Sequence, residues 1–281
     1  MTGPPTAGPP ATGAPGTELR ADCARCAGLC CVAPGFTASA EFAISKAAGQ
    51  ACPNLRSDFR CGIHDQLRPR GFAGCTTFDC FGAGQQVIQV TFGGRTWRDQ
   101  PELAQAQFGS FAVMRQLHEM RWHVSQAVTY LRGRPEAEVP AVIAELSQAD
   151  QALRAHAESG PEALAALDVD PLWASVTTAL RQASQLIRGD APKGRDRSGA
   201  DLMGRHLAGV DLRRASLRGA YLIGTNLAGA DLSTSLFVTQ AQLDTARGDA
   251  RTKLPPALRR PEHWAHPAAR PNRGPRPGGG R

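Results

Sequence analysis

Between Leu202 and Phe237 an apolar residue stands at every fifth position: Leu202, Leu207, Leu212, Leu217, Leu222, Leu227, Leu232 and Phe237. An α-helix advances about 100° per residue, so a five-residue step rotates by about 140° and smears these side chains around the axis. A strand of period two sends alternate ones to opposite faces. A backbone that turns a corner in every five-residue unit buries all eight on one axis, and stacked units make a coil. The neighbours keep the same register. Two residues before each apolar position stand Ala200, Arg205, Val210, Ala215, Ala220, Thr225, Ala230 and Ser235, all small except the arginine. Asp201, Asp211, Asn226 and Asp231 directly precede it, and Gly204, Gly209, Gly219, Gly224 and Gly229 follow two residues later. Glycine reaches the positive φ that a corner demands.

Upstream, from Pro101 to Ile187, the period is three and four. Phe111, Met114, Leu117, Val124, Val128 and Leu131 predict a helix ending near Gly133, and Pro135, Pro161 and Pro171 mark first turns of later helices. Val139, Val142, Ile143, Leu146 and Leu153 share one face; Leu172, Val176, Leu180 and Ile187 share another. Three amphipathic helices can bury these faces. The β-branched run Val87 to Phe92 predicts a strand, preceded by a turn at Gly82-Ala83-Gly84. Beyond the repeat, Thr239 caps a short helix through Ala246, with Gly248 past its end. Two coils rise only about 10 Å at strand spacing, so both ends need cover, supplied below by Leu254 and Trp264.

On these residues, segment 200–239 resembles the pentapeptide-repeat family, whose units read A(D/N)LxG. The resemblance implies a right-handed quadrilateral β-solenoid with four units per coil, hence two coils. Arg205 occupies a position the family points inward, and His206 and Tyr221 replace Asp or Asn, so the first coil is expected to be irregular.

The chain has 281 residues, 42% of them hydrophobic, which gives room for about two domains of ordinary size. Residues 1–17 are Pro, Gly, Ala and Thr with a single Met and no charge; they cannot bury enough apolar surface to offset chain entropy and are read as a disordered arm. Neither a signal-peptide pattern nor 18 consecutive apolar residues is present, so a cytoplasmic protein without membrane partner is expected. From Arg247 onward, nine Arg or Lys face only Asp249 and Glu262, an excess equal to the whole net charge of +7. That tail attracts phosphate at most non-specifically, having no aromatic residues interleaved for base stacking.

All eight cysteines lie between positions 23 and 80: Cys23, Cys26, Cys30, Cys31, Cys52, Cys61, Cys75 and Cys80. In a reducing compartment this density reads as metal ligation, with disulfides as the alternative. The Cys23/Cys26 pair places two thiolates on one turn, within reach of a cation bound at about 2.3 Å if it is zinc. Eight thiolates suffice for two zinc sites, or for one four-iron cluster with thiols to spare, so zinc and iron, an iron–sulfur cluster included, both stand. His64 is a possible ninth ligand, a surface imidazole being its ordinary reading. Residues 52–69, CPNLRSDFRCGIHDQLRP, and the leading Cys23 to Cys31 resemble the YkgJ-type zinc- or iron-chelating family. That resemblance implies ligand roles for Cys23, Cys26, Cys30, Cys31, Cys52, Cys61 and Cys75, with Cys80 an addition.

His118-Glu119-Met120-Arg121-Trp122-His123 is one residue too long for a zinc-protease HExxH motif. Its imidazoles fall about 140° apart on a helix, and Glu119 with His123 reads as a surface pair. A P-loop and a GxSxG elbow are absent, and no catalytic motif supports an enzyme. The expected fold is multidomain α+β: a disordered arm (1–19), a Cys-rich metal-binding domain (20–100), a helical region (101–190), the solenoid (198–239), a C-terminal cap (240–264) and a disordered basic tail (265–281). The expected function is non-enzymatic binding or scaffolding of another protein. An iron–sulfur redox protein is the first alternative. A DNA-mimicking topoisomerase protector ranks lower, because Asp201, Asp211 and Asp231 are outnumbered by Arg205, Arg213, Arg214 and Arg218 over two coils, where mimicry needs a long acidic rod.

Overall fold

A computed structural model describes residues 17–189 and 196–265. Most of the expected arm and tail therefore lies outside the described residues. Thr17–Leu19, at the inner end of the arm, form one 3-10 turn in which Leu19 is buried and Glu18 pairs with Arg121 at 3.4 Å.

Short helices α1 (Leu29–Val32), α2 (Ala73–Thr76) and α3 (Ala83–Gln85) punctuate the cysteine-bearing segment. Four helices follow: α4 (Ala104–Leu131), α5 (Val139–Ala157), α6 (Pro161–Ala165) and α7 (Asp170–Arg188). The central α4 packs on α5, α6 and α7, burying Phe111, Met114, Leu117, Met120, Val124 and Leu131 along one stripe. Gly133, at φ 77°, turns the chain out of α4. Proline begins α6, and Pro140 and Pro171 lie in the first turns of α5 and α7. Pro135 does not open a helix; it precedes α5 by four residues in the connecting turn.

The strand expected over Val87–Phe92 is a π-helix instead, Gln86–Thr91, continuing directly from α3. The Phe92 N–H donates to the Val87 carbonyl at 3.0 Å, a five-residue step. Tertiary burial overrides β-propensity here. A strand would place Val87 with Gln89, whereas the helical turn buries Val87, Ile88 and Phe92 together against the bundle and leaves Val90 outside. One continuous core thus joins Leu29, Val32, Val87, Ile88 and Phe92 to the helices.

The repeat segment turns through four five-residue sides. Its pairings are isolated parallel bridges one coil of 20 residues apart: Asp196 with Ser216, Asp201 with Tyr221, His206 with Asn226, Asp211 with Asp231, and Ser216 with Leu236. Among the described residues no run of pairing is long enough to make an extended strand. Each corner closes from an apolar carbonyl to the N–H three residues on, as from Leu217 to Ala220 at 3.0 Å. Asp201, Asp211, Asn226 and Asp231 each accept from the N–H two residues ahead, which explains their register. Where Arg214 replaces the corner glycine it takes φ 57°. Leu212, Leu217, Leu222, Leu227 and Leu232 are buried in a second core, and Leu207 is only partly covered beside Arg205, which points to solvent.

The C-terminal residues add part of a third turn. Asn226 bridges to Arg247 and Asp231 to Lys253, while the Thr252 hydroxyl donates to the Leu227 carbonyl as Thr225 does to Leu202 one coil earlier. Helix α8 (Gln240–Thr245) starts at Thr239, which exchanges hydrogen bonds with Gln242 in a capping box. The amide of Gln242 also donates to the carbonyls of Leu217 and Ala220, both at 2.8 Å, satisfying groups at the exposed edge of the coil. Trp264 closes the lower end, buried over Gly248, where any Cβ would lie 2.4 Å from the indole. Where the third turn begins, Leu236, bridged to Ser216, and Phe237 belong to the helical core rather than to that of the coil, so Phe237 leaves the axis expected of it; beside them the Tyr130 hydroxyl donates to the Ser235 carbonyl.

Candidate functional site

The eight cysteines are all free thiols, carried on four stretches of one folded layer. Cys23 and Cys26 lie on a turn. Cys30 and Cys31 are neighbours on α1, which is started by Gly28 at φ 64°. Cys52 and Cys61 flank a tight loop, and Cys75 lies in α2 with Cys80 five residues further on.

Side chains outside the cysteine set hold this layer against the π-helix and its flanks. Gln85 donates to the Arg20 carbonyl at 2.6 Å and accepts from the Asp22 N–H at 3.0 Å. Gln89 donates to the Arg25 carbonyl and the Trp97 indole to the Ala27 carbonyl, each at 2.9 Å. Arg20, Asp22, Arg25 and Ala27, around the first thiol pair, are thereby tied to residues 85–97. Gly84 permits the approach, since a Cβ there would stand 2.7 Å from the Cys26 Cβ. Gly84→Ala is expected to cost about 1 to 3 kcal/mol through this overlap, read as a lowered midpoint in urea denaturation; an unchanged midpoint would show that the layer shifts freely.

Cys23, Cys26, Cys30 and Cys80 line one cavity of about 20 Å³ together with Gly84 and Phe111. That volume accommodates a guest the size of one water or ion. Elsewhere the Cys52 N–H donates to the Cys31 carbonyl at 3.0 Å, and a bridge between Leu55 and Cys61 folds the loop back beside Cys52. Buried Lys46 donates to the carbonyls of Val32, Ala47 and Gln50, which pins the end of α1 to the chain entering Cys52.

The thiols perturb one another. Hydrogen bonding with Cys26, helped by the charges of His64 and Arg60, draws Cys23 down to about 6, and the same bond together with burial pushes Cys26 up. The hydrogen bond between Cys30 and Cys31 lowers Cys31 and raises Cys30, their Sγ atoms being 4.0 Å apart. Burial, and then the charges of Cys31, Cys52 and Cys61, raise Cys75 to about 11; burial likewise raises Cys61 and Cys80. So many thiols cannot ionise together without a cation to offset their charge. Among the described residues no group of three or more His, Cys, Asp or Glu side chains is placed to hold a metal ion.

His64 is exposed and pairs with Asp65 at 3.7 Å, as a surface imidazole does. The His118/His123 reading needs correction. His123 is buried rather than a surface partner of Glu119, which pairs with Arg115 at 3.2 Å, and His118 donates from Nδ1 to the Phe81 carbonyl at 2.8 Å. A larger cavity of about 410 Å³, lined by Tyr130, Arg134, Asp211, Arg213 and Arg214, lies between bundle and coil. Its cations are answered by acids, Arg134 by Glu136 at 2.7 Å and Arg213 by Asp211 at 3.0 Å. Gln85, Gln89 and Trp97 had no sequence signal, because each matters only through a partner more than 60 residues away.

Comparison with known proteins gives two matches. Residues 198–235 match the pentapeptide repeats family in eight copies. A protein of Bacillus subtilis (strain 168), described as uncharacterized protein YybG, is 45% identical over 271 residues, covering 88% of this chain and 95% of its own length. No solved structure matches. Among the described residues no helix is long and apolar enough to cross a membrane.

Proposed function

The chain belongs to the family of Bacillus subtilis YybG and carries pentapeptide repeats, and from that premise we propose that it is a non-enzymatic binding protein whose cysteine layer holds a soft metal ion and whose repeat coil contacts another protein. The observation that carries the metal reading is the gathering of four free thiols around one ion-sized cavity. The donor set fits, because thiolate sulfur suits zinc or iron. The cavity favours a single ion over a four-iron cluster, which needs far more room than one water. All eight cysteines remain candidate ligands: seven are those the YkgJ-type resemblance implies, and Cys80 is added by its place on the cavity.

Support for a protein partner comes from the coil. Met203, Tyr221 and Ile223 are exposed by 51%, 58% and 47%, and Met203 and Ile223 stand one coil apart on the same side. Large apolar side chains grouped on a rigid surface favour association. The basic residues 265–281 fall almost wholly outside the described segment and add at most salt-sensitive, sequence-independent attraction for nucleic acid.

The test is elemental analysis of anaerobically purified protein with acid-labile sulfide measured alongside. Zinc or iron without sulfide is expected, and chelation should speed amide exchange across residues 20–100 before the repeat coil, since ligand binding and folding are coupled. Four native disulfides and no metal would overturn the reading; brown protein with stoichiometric sulfide would replace it with the redox alternative.

A further inference from the structure

We propose that the eight cysteines form two separate four-thiolate sites, Cys23, Cys26, Cys30 and Cys80 in one and Cys31, Cys52, Cys61 and Cys75 in the other, each for one divalent zinc-like cation. The proposal rests on the metal-binding reading above and adds the division of the ligands, which chain order does not suggest: the first site takes the cysteines nearest the start together with the one furthest along.

The first group is defined by space. Its four thiols line the same cavity of about 20 Å³, and none of the other four does. Gly84 removes the side chain that would otherwise obstruct Cys26, and Gln85 clamps the turn bearing Cys23 onto the helix that follows Cys80. Cys80 is held there by the turn in which the Ala83 N–H donates to its carbonyl at 2.8 Å.

The second group is defined by backbone and charge. Cys52 is hydrogen bonded to Cys31, the loop after it returns Cys61 beside Leu55, and the Cys75 N–H donates to the carbonyl of Phe72, whose ring packs on Phe36, the bridge partner of Lys46; the charges of Cys31, Cys52 and Cys61 reach Cys75 there. The Lys46 ammonium sits near Cys31 and Cys52, where it offsets part of the negative charge that four thiolates would leave on a divalent ion.

The partition turns on Cys30 and Cys31. Consecutive residues of a helix point about 100° apart, so adjacent cysteines on α1 address different centres while their sulfurs remain 4.0 Å apart. The two sites then adjoin at α1, one on each side of the Cys30/Cys31 pair. Loading is redox-neutral: each cation forms four metal–sulfur bonds, and the protons of the thiols that were not already ionised pass to solvent.

The test uses the full-length chain, stripped of metal under reducing conditions and titrated with cobalt(II) and then zinc. Wild type should take two ions. Cys80→Ser and Cys75→Ser should each take one, Cys23→Ser/Cys80→Ser should still take one, and Cys75→Ser/Cys80→Ser should take none. X-ray absorption of the wild-type zinc form, which needs no variant to fold, should show only sulfur neighbours at about 2.3 Å. A wild type that binds no metal overturns the metal reading itself. A wild type that binds one ion, a Cys23→Ser/Cys80→Ser protein that binds none, or a zinc shell containing nitrogen overturns the division while leaving the metal reading in place.

Discussion

Leu217→Lys is expected to unfold the repeat coil. Leu217 is fully buried at the level where the first turn passes into the second, with its N–H bonded to the Leu236 carbonyl at 2.9 Å. Ala215, Ala220 and the leucines stacked with it surround the side chain. An ammonium there has no acid to meet, and burying it unpaired costs several kcal/mol beyond the roughly 2 kcal/mol of lost leucine burial. Domain stabilities of about 5 to 15 kcal/mol leave little to absorb that. Leu217→Ala, which leaves only a cavity, should be milder at about 2 to 5 kcal/mol. Both are read by calorimetry and by proteolysis between residues 198 and 253. Because Leu236 and Phe237 also belong to the helical core, the lysine variant should lower the stability of the bundle as well. Wild-type melting of the Leu217→Lys protein would remove Leu217 from the coil axis.

The coil was legible because a period of five matches no regular element, and because small residues, Asx turns and corner glycines all repeated it. Its lower closure was legible too: a capping threonine, a glycine and a tryptophan each acted through nearby residues. The long helices followed from three- and four-residue spacing over many turns. Val87–Phe92 was misread because six residues are too few to separate a buried helical turn from a strand when β-branched residues fill both descriptions. The helix start at Val139 lies four residues past Pro135, which the sequence offers as a first turn, because proline suits a connecting turn as well as a helix start, and it is Pro140 that stands in the first turn. The identity of the thiol-bearing residues was plain from the sequence, and their grouping was not. That grouping depends on contacts of Gln85, Gln89 and Trp97 across more than 60 positions, which leave no periodic trace. Arg205 is the reverse case: a residue at odds with its repeat marked a real departure, and it points to solvent.

Acid should weaken the protein through two histidines of α4 before its ordinary carboxylates titrate. Burial depresses His123 to about 3, with the charge of Arg218 acting in the same direction, and its ring packs against Trp122 and Phe237. Burial also depresses His118 to about 4; the hydrogen bond to the Phe81 carbonyl opposes this and Arg121 adds to it. Both are therefore neutral in the folded chain where the unfolded chain, with its ordinary value of 6.5, takes up protons. Stability is fully present above pH 6.5 and falls as pH drops below it, because the unfolded state then binds more protons. Each such histidine contributes a slope approaching about 1.4 kcal/mol per pH unit, so the pair approaches about 2.7. The full slope should last until His118 begins to protonate in the folded state near pH 4, after which His123 alone continues the loss to about pH 3. Denaturation midpoints at constant ionic strength from pH 7.5 to 5 would measure it. His123→Leu, which keeps the site apolar, should remove about half of the slope, and adding His118→Asn, which retains a donor for Phe81, should remove most of the remainder. A double variant as acid-sensitive as wild type would assign the effect to other groups.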